Sequence, residues 1–516
     1  MRIWKLALGV FLANAVIVST ALAQQGLRQP VQKTAFEYDY YQAPPAPSKD
    51  IKSPSDKPAP MPSVVAPAAP PAPAPMPPAP TPMVISTVVE GGYSAYATDS
   101  AGPACGCESS CNSCGCGLNC PEGPPVCRLF DECCWLKCNG LTLTGYLNTG
   151  YSINNNADKF NGPIAFNDRS NEFELNQAYI ALEKATKAGD CDWDLGGRID
   201  VMYGTDARWV ESSGLEKTSA GQEKWVTNQR FYHLALVQAY AEVAYDDVKI
   251  KAGKWITLMG AEVIDVTGNF FYSHSYTFSY GIAYTHTGLM ATKTVDEQLS
   301  YSLGITTGWD NFFDNQNRVD FMGSVTLTSC DKSSNLVFTI MTGDERRTDP
   351  DADPAETNRT AYTIVYNKKL NDRLSWTIEH VLGVQQKGAF DPATETEATR
   401  AGRWYGITNY LTYQLNCDWW LGGRFEWFRD PDGTRVLPVG DSLTGGTANA
   451  ATNVGYEGNF FEYTVGLNYK PVCNPNLVVR PEVRWDHFDG NTNNAPFSNG
   501  NKNDQFTFAI DATFKF

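Results

Sequence analysis

The chain lacks any run approaching the ~20 consecutive apolar residues that a membrane-spanning helix needs. The apolar stretch near its start, Leu6 to Val18, is too short for that role. If the protein enters a membrane, it must do so as a closed barrel, whose backbone groups satisfy one another. Basic charge is also in deficit. There are 41 Lys and Arg against 57 Asp and Glu, a net charge of −16, which argues against a nucleic-acid partner. Histidine is scarce: His233, His274, His286, His380 and His487 are the five. None has a metal-ligand spacing such as H-E-x-x-H, and no phosphate loop or G-x-S-x-G occurs in a suitable setting. His274 lies between Ser273 and Ser275, but no orienting partner for hydrolysis can be identified. The expectation is a protein that is not an enzyme, with no cofactor and no metal.

Aromatics and glycine are abundant, with 25 Tyr, 25 Phe, 13 Trp and 43 Gly. They suit a chain of many strands and turns. Four regions follow in order. Residues 1–23 read as a secretory signal peptide, with Arg2 and Lys5 before the apolar run and Ala21-Leu22-Ala23 as the cleavage site. Residues 24–104 read as a Pro/Ala-rich disordered linker, since proline there prevents a sheet. Residues 105–138 hold ten of the 14 cysteines. After export these favour a small disulfide knot over a thiolate metal site, with connectivity that spacing does not settle.

Residues 139–516 have one constant character: alternating segments of ~9–12 residues, the length that crosses a bilayer as a tilted strand. About sixteen start near Leu141, Phe173, Trp193, Leu234, Val248, Thr285, Leu299, Phe321, Leu336, Thr360, Leu374, Trp404, Trp419, Phe460, Leu477 and Gln505. In one, Ala235, Val237, Ala239, Ala241 and Val243 share a face opposite Gln238, Tyr240 and Glu242. The connections alternate short and long. Asp246-Asp247, Asp296-Glu297 and Asn371-Asp372 are short, whereas 154–171, 204–228, 256–284 and 430–459 are long. A soluble sandwich has no reason to sort its loops by parity; an outer-membrane barrel has periplasmic turns and longer external loops. An even strand number then puts both ends, and the N-terminal segment, on the periplasmic side. The fold class is therefore all-β, an antiparallel transmembrane barrel in contact with outer-membrane lipid.

In the last strand Phe506, Phe508, Ile510, Ala512, Phe514 and Phe516 face one way. A terminal strand ending in Phe516 suits recognition by the barrel-assembly machinery. CDWDLGGRID at 191–200 echoes CDWWLGGRFE at 417–426, either by duplication or by the same local demand. Pro481 removes a ladder donor, so a bulge is expected there.

The other faces should line water. Arg198, Asp200, Glu242, Lys249, Lys251, Arg424, Glu426, Arg480, Glu482 and Arg484 are the predicted pore lining. Arg or Lys at lipid depth costs ~2–4 kcal/mol, and a sixteen-strand barrel is wide enough for an aqueous channel. Loop 256–284 is aromatic with few charges, so it should pack against the inner wall as a constriction, the competing reading being an external lid or an oligomer contact. Its candidates are Glu262 and Asp265, facing the passage, with Tyr272, His274 and Tyr276. Cys191, Cys330, Cys417 and Cys473 all sit in short turns on one rim. They are disulfide candidates, with one another or with the 105–138 knot, or else simple turn cysteines.

Gln238-Ala239-Tyr240, Gly253-Lys254, Gly260-Ala261-Glu262 and His286-Thr287-Gly288 carry a resemblance. The region from about Gly140 to Phe516 resembles the OmpL-like β-barrel porins. The resemblance implies an outer-membrane porin for passive diffusion of small hydrophilic solutes, and by analogy a homo-oligomer. As the third long loop, 256–284 would narrow the pore. The alternative is a structural or adhesive barrel, plugged inside and tied to the cell wall through its N-terminal segment.

Overall fold

The structure is a computed structural model that describes residues 129–130, 133–187, 192–218, 223–225, 231–313, 319–345, 358–390, 398–437, 455–490 and 495–516. The expected signal peptide, the linker and most of the cysteine-rich segment lie outside the described residues. A short helix, α1 (Cys134–Cys138), precedes the barrel.

Sixteen strands follow. They are β1 (Thr142–Asn154), β2 (Glu172–Lys184), β3 (Trp193–Gly204), β4 (His233–Tyr245), β5 (Val248–Ile256), β6 (Thr285–Thr294), β7 (Leu299–Thr306) and β8 (Asp320–Thr328). Then come β9 (Ser334–Asp344), β10 (Asn358–Lys369), β11 (Leu374–Phe390), β12 (Ala398–Gln414), β13 (Trp419–Asp430), β14 (Gly458–Tyr469), β15 (Leu477–Gly490) and β16 (Asp504–Lys515). Each pairs antiparallel with its sequence neighbours, and β1 pairs with β16, from Tyr146↔Lys515 to Asn154↔Thr507, closing the barrel. No edge is left to pair with another chain. Short turns gather at the end where β1 starts and β16 stops; the long connections gather at the other.

Alternation decides which face is which. In β16, Phe506, Phe508 and Phe514 are about half exposed while Gln505, Thr507, Asp511 and Thr513 are buried. Leu195, Ile199, Ile250, Leu289, Leu303 and Val465 are likewise bared on the outside. Only a lipid solvent makes such a surface stable, since keeping each Leu or Ile out of water is worth about 1.5–3 kcal/mol. The two echo segments do the same job near the turn end. Trp193 sits 4.8 Å from Tyr245 and Trp419 4.6 Å from Tyr469, ring to ring across adjacent strands. Aromatic belts of this kind mark barrel–membrane interfaces.

Two expectations need correction. Ala235 and Val237 do not share the outer face with Ala239, Ala241 and Val243; both are fully buried inside. Asp200 pairs with Gln238 but Val201 pairs with Leu236, so Val237 is an extra residue. A bulge there flips the alternation of β4. At Pro481 the reverse holds: Pro481 faces Ile510 with no register shift in β15. The cost is limited because the ladder to β14 makes no pairing between Gly466↔Glu482 and Tyr469↔Val479.

Candidate functional site

The long connection 257–284 between β5 and β6, here L3, runs through the inside of the barrel. Its own hydrogen bonds shape it first. Asp265 accepts from Thr267 N at 2.8 Å and opens a single turn, Val266–Gly268. Asn269 closes that turn onto Val263, accepting from its N–H at 2.9 Å and donating to its carbonyl at 2.6 Å. A second, wider turn spans Thr277–Gly281.

An irregular loop at membrane depth has backbone groups that lipid cannot satisfy, so the protein must supply partners. The wall does so with charge. Glu482 accepts from Tyr272 N at 2.9 Å and Ser273 N at 3.1 Å; Glu426 accepts from Tyr276 N at 2.6 Å and Thr277 N at 2.7 Å. Three arginines donate to loop carbonyls: Arg424 to Ser273 (2.7 Å), Arg484 to His274 (2.6 Å), and Arg480 to Val266 (2.9 Å) and Asn269 (2.8 Å). Each arginine also has a carboxylate: Glu462 and Glu262 at 2.9 and 2.8 Å for Arg424, Asp511 for Arg480, and Asp486 at 2.7 Å for Arg484. Charge-assisted hydrogen bonds are about twice as strong as neutral ones. The loop is thus clamped to β13–β15 by a charged lattice rather than by apolar packing alone.

Shape completes the clamp. A Cβ on Gly150 would stand 2.3 Å from the Tyr272 hydroxyl, and one on Gly422 would stand 2.1 Å from the Phe270 ring. These wall glycines leave space for two aromatic residues of the loop. A bulge in β2, between the pairs Asn148↔Gln177 and Thr149↔Leu175, turns both Asn176 and Gln177 inward. Gln177 then donates to Ile264 O at 2.9 Å, and Tyr272 OH donates to Asn176 at 3.2 Å.

L3 is packed from the loop end as well. Phe166, in the connection 155–171, lies 4.5 Å from the His274 ring, 5.5 Å from Phe278 and 5.7 Å from Tyr284. Tyr280 OH donates to Pro163 O at 2.6 Å. Arg208, in the short helix α2 (Ala207–Val210), pairs with Asp168. From the turn end, by contrast, a cavity of about 1110 Å³ reaches up to L3, lined there by Ala261 to Val263 and Asp265 to Phe271.

The predicted constriction residues divide. Glu262 and Asp265 line the cavity. Tyr272, His274 and Tyr276 are buried between loop and wall. Glu262 is the hub, receiving Arg424, the Tyr410 hydroxyl (3.0 Å), Ser275 N (3.0 Å) and, on Oε2, the His274 Nδ1 (3.0 Å). Burial raises its carboxyl, but Arg424 and His274 outweigh that and hold it at about 2. Burial pushes the His274 imidazole below its ordinary value, against the pull of Glu262. Of the predicted lining, Arg198, Lys251 and Arg480 border the cavity. Asp200 is enclosed by Tyr179 OH (2.6 Å), Gln238 (2.8 Å) and Arg198 (2.8 Å), and Glu242 pairs with Lys249 at 3.4 Å. Glu426, Glu482 and Arg484 hold L3 rather than bordering open space.

Tyr410 and Arg435 were not singled out by sequence, and Trp404 only as a strand start. Trp404 Nε1 donates to Gly281 O at 2.9 Å and Arg435 Nε to Tyr280 O at 2.7 Å. The inward alternation of β12 carries Tyr410 and Trp404; nothing local marks Arg435. Of the four turn cysteines, Cys417 is disulfide-bonded, whereas Cys330 and Cys473 carry free, exposed thiols where pairing was expected. Cys191 lies outside the described residues. Glu211, Glu223 and His233 bring ligand atoms within 4.8 Å of one another. Lys217 Nζ lies against both carboxylates of that group, 2.9 Å from Glu211 and 3.8 Å from Glu223.

Among solved structures, the chain is similar to the outer membrane channel DcaP of Acinetobacter baumannii, at 12% identity and a TM-score of 0.45, covering 73% of this chain and 97% of that one. It is similar to an anion-selective porin from Comamonas acidovorans (8%, TM-score 0.47, 73% and 99%) and to OmpT of Vibrio cholerae (10%, 0.43, 73% and 99%). No curated protein matches it. The family profile described as beta-barrel porin-2, OmpL-like, matches residues 140–516, the whole of the barrel, and the chain belongs to that family of outer-membrane porins.

Proposed function

We propose that this porin passes small hydrophilic solutes by passive diffusion, with L3 as its constriction. The observation that carries the reading is the charged clamp. Five wall side chains on β13 and β15, Arg424, Glu426, Arg480, Glu482 and Arg484, spend their hydrogen bonds on the L3 backbone. A barrel needs no such lattice merely to close, because its strands already satisfy one another. The lattice fixes a narrowing element at a set depth. Short turns, the N-terminal segment and the cavity then face the periplasm. Deleting residues 268–280 and recording single-channel currents tests this. A larger conductance is the expected result; an unchanged one overturns the assignment of L3.

A second reading has its own support. Phe166 and Pro163 pack on L3 from the loop end, next to the Arg208–Asp168 pair. That filling suits a plugged barrel whose N-terminal segment engages the cell wall. Planar-bilayer recording separates the two: steady currents from the folded wild type favour the channel, and their absence favours the plug.

A further inference from the structure

The protein as a whole is acidic, at −16, yet its turn-end cavity has the opposite sign. Among the described residues, its lining holds Lys or Arg at nine positions and a carboxylate at three, Glu262, Asp265 and Asp372. Several of these cations are neutralised. Arg198 and Arg480 pair with Asp200 and Asp511, and Lys332 and Lys369 with Glu297 and Asp372. Lys368, Arg373 and Lys515 are different. None has a carboxylate within ion-pairing distance among the described residues. Lys368 Nζ donates to Ser333 Oγ at 2.7 Å, and that hydroxyl in turn donates to Asp331 at 2.7 Å. All three are half-buried, at the turn ends of β10, β11 and β16.

Lys470, in the turn after β14, adds a fourth cation, its Nζ 5.6 Å from the Trp420 ring centre. Burial, with Lys515 and Arg480 nearby, pushes its ammonium down to about 8. The mouth thus carries like charges close enough to act on one another. A protein gains nothing in stability from that arrangement. Its use lies in the potential, which low-dielectric barrel walls focus along the axis. Rings of Lys and Arg are how pores favour anions.

We infer that the turn-end cavity is a cationic vestibule that concentrates small anions bearing carboxylate, phosphate or sulfate groups, and makes the channel anion-selective. Selectivity rests on the channel reading above; the anion site itself does not. Lys368, Arg373, Lys470 and Lys515 supply the attraction. Of the two L3 carboxylates on the cavity, Glu262 is committed to Arg424, and Asp265, which accepts from Thr267 N at 2.8 Å, leaves the cations in excess.

The test uses the full chain refolded in planar bilayers under a KCl gradient. Two double variants, Lys368→Glu/Arg373→Glu and Lys470→Glu/Lys515→Glu, are compared with the wild type. Retention of the folded barrel is checked by heat-dependent gel mobility. The wild type should show a reversal potential of anion-selective sign, and each variant should lower the chloride-to-potassium permeability ratio several-fold. A wild type that is unselective or cation-selective overturns the inference. A folded wild type that passes no current sinks the channel reading instead, and binding in detergent then decides. Tripolyphosphate should bind with an affinity that falls as salt rises and weakens several-fold in either variant. No binding, or binding that the variants leave unchanged, overturns the cationic site.

Discussion

Replacing Arg424 with methionine should release L3. Arg424 is buried, and its guanidinium meets Glu462 at 2.9 Å, Glu262 at 2.8 Å, Ser273 O at 2.7 Å and Ser273 Oγ at 3.0 Å. Methionine keeps much of the bulk and removes every donor, leaving two carboxylates facing each other without a cation. Breaking a buried ion pair from one side costs about 3–5 kcal/mol. Water can enter a barrel lumen and solvate the orphaned carboxylates, so the lower end applies, about 3 kcal/mol. That shifts the docked-to-released ratio of L3 by roughly a hundredfold. The β-ladder is untouched, so the loss should appear in the loop rather than in the barrel. Limited proteolysis should cut within 262–280 in the variant and not in the wild type, with an unaltered heat-dependent gel shift. Single-channel current should become larger or noisier. Adding Glu262→Gln to Arg424→Met should recover part of the loss, a coupling of at least about 1 kcal/mol. If the single variant leaves both protease protection and conductance at wild-type values, the charged clamp does not hold the loop.

Gly422→Phe should displace Phe270 and loosen L3. Gly423→Phe, on the neighbouring outward position where a Cβ meets nothing within 4 Å, should leave loop protection unchanged; equal effects from both would reject the fit between Phe270 and the wall. His274 sets a pH dependence. Its pKa is lowered in the docked loop by burial, so the released loop binds a proton first, and docking weakens as pH falls below about 6.5. Glu262, held at about 2, does not titrate in that window. Conductance followed from pH ~7 to ~5 should change more in the wild type than in His274→Gln; matching profiles would reject this origin. Peptide mapping of unreduced, alkylated protein should find Cys330 and Cys473 labelled and Cys417 blocked. Labelled Cys417 would contradict the disulfide.

The strand plan was legible because period-two alternation is a local signal. Trp193, Val248, Thr285, Leu299, Leu374, Trp419 and Leu477 mark strand starts to the residue. β12 begins at Ala398 rather than Trp404, since the residues before Trp404, Thr399 to Arg403, carry no alternation of apolar side chains in the sequence. The β4 bulge was not legible. Leu236-Val237-Gln238 alternates acceptably in either register, and only pairing with β3 selects one. The clamp was half legible. Charges at Arg424, Glu426, Arg480, Glu482 and Arg484 had to face inward, but their partners lie far off in sequence, as Tyr276 does from Glu426. Inward charge reads alike whether it meets water or a loop. The glycine at 422 was visible only as a small mid-strand residue; its role depends on Phe270.

The two chemistries inside the barrel have separate causes. Around L3 every arginine meets a carboxylate, while Glu426 and Glu482 are held by loop N–H groups, because a buried charge must be paired or hydrogen-bonded to persist. At the turn end the match fails: Lys368, Arg373 and Lys515 have no carboxylate within ion-pairing distance among the described residues, although the chain carries more acidic than basic groups. The nearby carboxylates are engaged by other groups, Glu297 by Lys332 and Asp331 by the hydroxyls of Ser329 and Ser333. Folding alone would favour moving some of them inward. An excess of cations at one mouth therefore asks for a reason outside folding, and a passing anion supplies it. On the proposed reading the clamp and the vestibule divide the work, one fixing where the passage narrows and the other deciding which sign of charge reaches it.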